Sequence, residues 1–121
     1  MNRRRVIEGV ALGASGGRKI VGTVLQIASF IIDHGLDLEQ AFHQPRIDVS
    51  GGPGAGISVD RRLPAETRAV LDAALNTVAA EPVPSPMPFT IASAVRRTGD
   101  MNEGATEPEQ PWSEAVAEDE V

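Results

Sequence analysis

The sequence predicts an α+β fold of two or three helices and about four strands. Apolar residues with helical spacing dominate residues 18–34, whereas short apolar runs typical of strands occur at residues 5–12 and 89–95. Clusters of glycine and proline separate these runs and indicate turns. With 121 residues and no internal repeat, the chain is expected to be one domain at most, or a piece of a larger one.

The composition argues against several classes of function. Eleven basic and 17 acidic residues give a net charge of −6, which favours neither nucleic acid nor an anionic membrane as a partner. Without cysteine, the chain has no disulfide, no zinc–thiolate site and no cysteine nucleophile. The two histidines, His34 and His43, are not spaced as metal ligands, so we predict neither a metal nor a cofactor.

No targeting or membrane segment is predicted. The basic residues Arg3–Arg5 are followed by Glu8 and two glycines, unlike the apolar part of a secretory signal. The most apolar stretch, Ile20–Ile32, has about 13 residues, whereas a membrane span needs about 20. The sequence leaves the cellular compartment undetermined.

The first half of the chain is predicted as a strand, a glycine turn and two helices. Residues 5–12 form the strand, and a helix follows from about Arg18 to His34. Gly35 is well placed to end this helix in the left-handed conformation. A short helix from about Leu38 to Gln44 has Asp37 as its N-cap, with Gln40 three residues on as in a capping box.

The long helix carries an apolar arc that is wider than one face. Eight apolar residues form the arc: Ile20, Val21, Val24, Leu25, Ile27, Ala28, Ile31 and Ile32. So wide an arc predicts that the helix is buried against two surfaces.

The second half is predicted as short strands around a third helix. In order, we expect a strand at 46–49, a loop at 50–56, a strand at 57–59, a helix from Pro64, a proline-rich connector at 81–88, a strand at 89–95 and a turn at 98–100. The buried side of the helix is expected to comprise Val70, Leu71, Ala74 and Leu75. Because both faces of 89–95 are small or apolar, this strand should be central in its sheet.

Acidic residues are concentrated at the end of the chain. Residues 103–121 hold seven acids and no base, whereas residues 1–102 hold the other ten acids and all 11 bases. We therefore expect a folded part at 1–102 and an acidic, largely disordered tail at 103–121.

The glycine turn at 13–17 is the most informative local feature. It joins a strand to a helix, where free backbone N–H groups can bind a carboxylate, a phosphate or a developing oxyanion. The pattern does not match the P-loop or the dinucleotide-binding loop, and a plain strand-to-helix turn stays open as an alternative. Arg46 is predicted to form a structural ion pair with a carboxylate.

Several blocks together resemble one family. They are Gly13–Ile20 (GASGGRKI), Thr23–Gln26 (TVLQ), Ile32–Ala41 (IDHGLDLEQA), Pro45–Ile47 (PRI), and, more weakly, Arg61–Pro64, Phe89–Val95 and Glu103–Pro108. In their order and spacing these blocks resemble the C-terminal part of the small subunit of γ-glutamyltranspeptidases. The resemblance spans nearly the whole chain and is strongest from 13 to 49. Ser15 stands where the family usually has Pro, and Arg18 where it has Ser.

The resemblance implies part of a four-layer α/β/β/α sandwich of the N-terminal-nucleophile hydrolase type. It implies transfer of a γ-glutamyl group from compounds such as glutathione to water or to an amino acid, through an acyl-enzyme. Members of the family are often periplasmic or secreted. Gly16 and Gly17 match the paired glycines whose amides form the family's oxyanion hole.

The family's nucleophile is not among the residues that match. In the family, the catalytic Thr and most substrate-binding residues precede the glycine turn, whereas this chain has no Thr before Gly13. We therefore expect no activity from this chain alone, and an upstream chain as its partner. Two alternatives stay open: a non-catalytic partner subunit, and a small anion-binding module.

Overall fold

The computed structural model describes residues 8–83 and 88–116, which form an α+β fold as predicted. The helices are α1 (Lys19–Ile32), α2 (Leu38–His43) and α3 (Ala65–Ala74). The strands are β1 (Glu8–Ser15), β2 (Ile47–Asp48), β3 (Ile57–Asp60), β4 (Thr77–Ala80), β5 (Ile91–Thr98) and β6 (Met101–Thr106). The first residues of the predicted strand at 5–12, and residues 84–87 of the predicted connector, lie outside the described ranges.

The first sheet has the strand order β1-β5-β6, and both pairings are antiparallel. The β1–β5 ladder runs from Glu8 opposite Thr98 to Ser15 opposite Ile91. Gly99, with φ of +61°, lies in the tight turn between β5 and β6, at the turn predicted for 98–100. The strand predicted at 89–95 corresponds to β5, and its predicted central position in the sheet is confirmed.

The second sheet has the order β2-β3-β4. Strands β2 and β3 are antiparallel, whereas β3 and β4 are parallel and are connected through α3. The sequence pattern does not predict strand β4. It follows α3 almost directly and has only four residues, so no turn signal separates it from the helix.

The core lies between the first sheet and the helices α1 and α2. Its buried members are Ile27, Leu38, Ala41, Phe42, Ala92 and Ala94. Small residues on β5 let the two helices approach the sheet, and Phe42 and Ile27 are the largest side chains of this cluster that are fully buried. The helix α2 is fixed at its start by a capping box between Asp37 and Gln40, as the sequence predicts.

The side chain of Gln26 connects α1 to the second sheet. Its Nε2 donates to the carbonyl oxygen of Ile47 at 2.8 Å, and its Oε1 accepts from the backbone N–H of Ile47 at 2.9 Å. This amide therefore takes the place of a neighbouring strand at the free edge of β2. The contact sets how the two-residue strand lies against the helix.

A buried ion pair connects the two sheets. Arg46, just before β2, and Glu107, just after β6, are joined at 2.6 Å, and their side chains are only 4% and 8% exposed. The backbone N–H of Asp60 in β3 donates to the carbonyl of Arg46, and that of Glu107 donates to the carbonyl of Ala92 in β5. The structural ion pair predicted for Arg46 is thus confirmed.

A second buried carboxylate is neutralised locally. Asp60 is fully buried and accepts hydrogen bonds from the side chain of Arg62 and from its backbone N–H. The hydrogen bond with the Asp60 carboxylate raises the pKa of Arg62 above its ordinary value. Both buried carboxylates therefore face a guanidinium.

Strand β6 and the residues that follow it lie across the predicted boundary between residues 102 and 103. That boundary falls inside β6, and both Glu107 and Gln110 are buried. The acids of this segment do not all face solvent, because Glu107 has a buried cationic partner. Trp112 is 74% exposed, and residues 117–121 lie outside the described ranges.

Two burial predictions are wrong. The apolar arc of α1 is buried on one face only, since Val21, Leu25 and Ile32 are 76%, 68% and 78% exposed. Helix α3 has no buried residue, and Val70 and Leu75 face solvent. In both helices the sequence pattern indicates an apolar surface for which the described residues provide no cover. No helix in these residues is long and apolar enough to cross a bilayer.

We predict that Arg46→Leu lowers the free energy of unfolding by about 3–5 kcal/mol, because it leaves the Glu107 charge buried without its partner. Urea unfolding followed by far-UV circular dichroism measures this loss. Arg61→Leu is the matched control, because its ion pair with Glu81 is largely exposed and worth about 0–1 kcal/mol. Equal losses in the two variants would contradict the prediction.

Candidate functional site

The glycine turn lies where β1 passes into α1. Strand β1 ends at Ser15 and α1 begins at Lys19, so Gly16 and Gly17 stand between the two elements. Their φ angles are +143° and +64°, both in the region that favours glycine. Both residues are exposed, so a ligand can approach their main chain from solvent.

The amides of this turn are available as hydrogen-bond donors. Within residues 8–83 and 88–116, the backbone N–H groups of Gly16 and Gly17 donate to no carbonyl or side chain. The carbonyl of Gly17 accepts from Ile20 N–H at 3.2 Å and starts the helix. Two successive exposed N–H groups therefore remain open to an external acceptor.

The electrostatic surroundings of the turn favour an anion. Arg18 occupies the N-cap position of α1, no side chain in the described part of the chain caps the helix, and its first turn contains no acid. The positive end of the helix dipole and the cationic residues Arg18 and Lys19 therefore act in the same direction. A carboxylate at the N-cap, as in α2, would instead occupy such donors.

Thr90 lies directly beneath the turn. Its Oγ1 donates a hydrogen bond to the carbonyl of Ser15, and the residue is only 1% exposed. A Cβ atom built on Gly16 would lie 3.0 Å from Thr90 Cβ and closer still to Oγ1. Glycine at 16 is therefore required both by its φ angle and by the nearness of Thr90.

The sequence does not single out Thr90. Its contact with Ser15 spans 75 positions of the chain, and a single sequence carries no signal for such a pairing. The β1–β5 register creates the contact, because Ser15 opposes Ile91 and Thr90 immediately precedes Ile91.

The other residues singled out in the sequence make their contacts away from the turn. His34 packs against the ring of Phe30, with centroids 6.4 Å apart, and Nδ1 of His43 lies 2.8 Å from the carbonyl of Glu39. Arg46 holds the two sheets together. In the part of the chain that the structure describes, no three His, Asp or Glu side chains are grouped to hold a metal ion.

The fold is shared with solved enzymes. The γ-glutamyltranspeptidase from Pseudomonas nitroreducens, complexed with L-DON, superposes with a TM-score of 0.72 at 22% identity, over 97% of this chain and 59% of that one. The T380A mutant of the Helicobacter pylori γ-glutamyltranspeptidase gives 0.67 at 22% identity, over 84% and 54%. The Bacillus anthracis transpeptidase CapD gives 0.72 at 16% identity, over 94% and 66%.

These neighbours show which fold the chain shares, and the chain spans about three fifths of the P. nitroreducens chain that it matches. The protein-family model described as Gamma-glutamyltranspeptidase matches residues 6–117 of this chain. The chain therefore belongs to the γ-glutamyltranspeptidase family, a family of transferases and hydrolases, and the resemblance found in the sequence is confirmed. A search of curated proteins gave no match.

We predict that Gly16→Ala destabilises the protein more than Gly17→Ala does. Both substitutions force a side chain into a positive φ, at a cost of about 1–3 kcal/mol, but only residue 16 also meets Thr90. Gly13→Ala is the control, because Gly13 lies in β1 with open space around it. The free energy of urea unfolding ranks the three variants, and a larger loss in Gly17→Ala than in Gly16→Ala would overturn this description of the turn.

Proposed function

We propose that this chain is the C-terminal portion of a γ-glutamyltransferase/glutathione hydrolase small subunit, and that it supplies the oxyanion hole through Gly16 and Gly17. The reaction is γ-glutamyl transfer to water or to an amino acid through an acyl-enzyme. The observation that carries the proposal is a pair of amides at an exposed strand-to-helix turn that donate to no group among the described residues, in a chain of this family.

The physical chemistry of the turn suits that role. Attack on a γ-glutamyl amide converts its carbonyl oxygen into an oxyanion, and fixed donors aimed at this oxygen lower the barrier. Removal of one such donor typically lowers turnover by about 10²–10³-fold. The N-terminus of α1, with Arg18 and Lys19 beside it and no acid in its first turn, favours the same negative charge.

The missing parts of the reaction are assigned to a partner chain. Enzymes of this family consist of two chains, and the threonine nucleophile precedes the glycine turn in the part that this chain does not match. Thr90, the threonine in contact with the turn, is buried, and its hydroxyl already donates to Ser15, so it does not serve as the nucleophile. The chain alone is therefore proposed to be inactive.

The surfaces left open by the fold support such a partner. Strands β1, β5 and β6, together with residues 114–116, line an open concavity of about 1090 Å³. Its lining is mostly small and apolar but includes Arg96, Arg97 and Glu103. In a four-layer α/β/β/α sandwich, each sheet has helices on one face and the other sheet on its opposite face. We propose that a sheet of the partner chain packs on the face of β1-β5-β6 that the helices leave open. The exposed stripe of Val21, Leu25 and Ile32 on α1 supplies a further apolar surface for the same upstream chain.

The alternatives differ from this proposal in what each requires of the turn. A non-catalytic partner subunit would use the sheet face and the α1 stripe, but would need no accessible amides at Gly16 and Gly17. A small anion-binding module would bind anions without any partner chain and would show no preference for a glutamyl group over sulfate.

We predict that glutamate shifts the ¹H–¹⁵N resonances of Gly16 and Gly17 more than those of other exposed glycines. The two amides donate to the added carboxylate, which stands in for the oxyanion. Gly52 and Gly54, exposed and also at positive φ, are internal controls in the same spectrum. Equal shifts at all four glycines would oppose an anion site at this turn, and an equal response to sulfate would favour the anion-binding module.

We predict that the chain alone does not turn over a γ-glutamyl anilide, and that co-expression with a Thr-led upstream half of a family member produces activity.

Leu25→Glu on the exposed stripe should lower the yield of the two-chain complex several-fold in size-exclusion chromatography. Val70→Glu on α3 is the matched control, because Val70 is about as exposed as Leu25 but lies on another helix. Turnover by the isolated chain, or equal loss in both variants, would contradict these assignments.

A further inference from the structure

Thr90 is a buried residue that the proposed reaction has not yet used. It is almost fully inaccessible, and its hydroxyl donates to the carbonyl of Ser15, the last residue of β1. Bulk solvent therefore does not compete for this hydroxyl.

The carbonyl that Thr90 binds belongs to the same peptide group as the N–H of Gly16. A trans peptide is planar, so its C=O and N–H point in opposite directions and rotate together. A buried donor on the Ser15 oxygen therefore fixes the direction of the Gly16 N–H. The N–H of Gly16 therefore points away from Thr90, and Gly16 itself is an exposed residue.

The same hydrogen bond also changes the donor strength of the amide. A hydrogen bond to the carbonyl oxygen polarises the peptide group, and hydrogen bonds in a chain strengthen one another. Two successive glycines have more backbone freedom than any other pair of residues, so an external anchor on this peptide has a large effect.

We propose that Thr90 is a positioning residue for the oxyanion hole: its hydroxyl holds the Ser15–Gly16 peptide so that the Gly16 N–H is presented to the bound anion. This inference rests on the proposed function of the glycine turn. Thr90 does not contact the reacting atoms, and it acts only through the peptide that it binds. The role requires a hydroxyl group, which serine retains and valine lacks.

The experiment compares Thr90→Val, Thr90→Ser and unsubstituted full-length chain, each labelled with ¹⁵N. Loss of the hydroxyl should move the Gly16 amide proton upfield and weaken glutamate binding at this amide by about two- to tenfold, the usual net worth of one hydrogen bond. Thr90→Ser should keep both the resonance and the affinity. Thr23→Val is the matched control, because Thr23 is also buried but lies in α1.

The inference is overturned if Thr90→Val moves the Gly16 resonance no more than Thr23→Val does, or if Thr90→Ser moves it as far as Thr90→Val. Should Thr90→Val not fold, Thr90→Ala gives the same comparison with Thr90→Ser. Absence of glutamate binding in the unsubstituted chain would count against the proposed function, whereas the position of the Gly16 resonance tests Thr90 by itself.

Discussion

The buried ion pair between Arg46 and Glu107 is the interaction on which the arrangement of the two sheets depends. Arg46 binds β3 through its carbonyl and the end of β6 through its guanidinium, while the backbone N–H of Glu107 is bonded to β5. Two charges removed from water are tolerated only as a pair, because either one alone carries a large desolvation cost. The pair therefore ties the residue before β2 to the residue after β6.

The glycine turn depends on the first sheet in a similar way. The β1–β5 ladder ends at Ser15 opposite Ile91, and this register places Thr90 under the peptide that leads into the turn. The same residue fills the space where a side chain at position 16 would lie. Strand pairing on one side, and the start of α1 on the other, thus hold two glycines in a conformation that presents their amides to solvent.

Local signals predict the elements whose causes are local. The capping box at Asp37 and Gln40, the glycine turn and the central position of β5 all follow from residues within a few positions of each other. The sequence also predicts an ion pair between Arg46 and a carboxylate, because a guanidinium can form charge-assisted hydrogen bonds with one. It cannot indicate which carboxylate, since Glu107 is 61 positions away.

Other features escape prediction for physical reasons. Apolar periodicity shows which helix face avoids water, but it does not show whether this chain supplies the cover, so burial of the outer faces of α1 and α3 is wrongly expected. The sequence shows that residues 103–121 are acidic, but it does not show that Glu107 is buried against Arg46. The contact of Thr90 with Ser15 depends on strand register alone.

The exposure of Trp112 has a practical consequence for spectroscopy of this protein. The chain has one tryptophan and no tyrosine, and this indole lies mostly in water in the native state. Its emission therefore changes little when the core around Phe42 and Ile27 comes apart, and an unchanged fluorescence signal does not demonstrate an intact fold. The same isolation makes Trp112 a reporter of events at the surface near the end of the described chain.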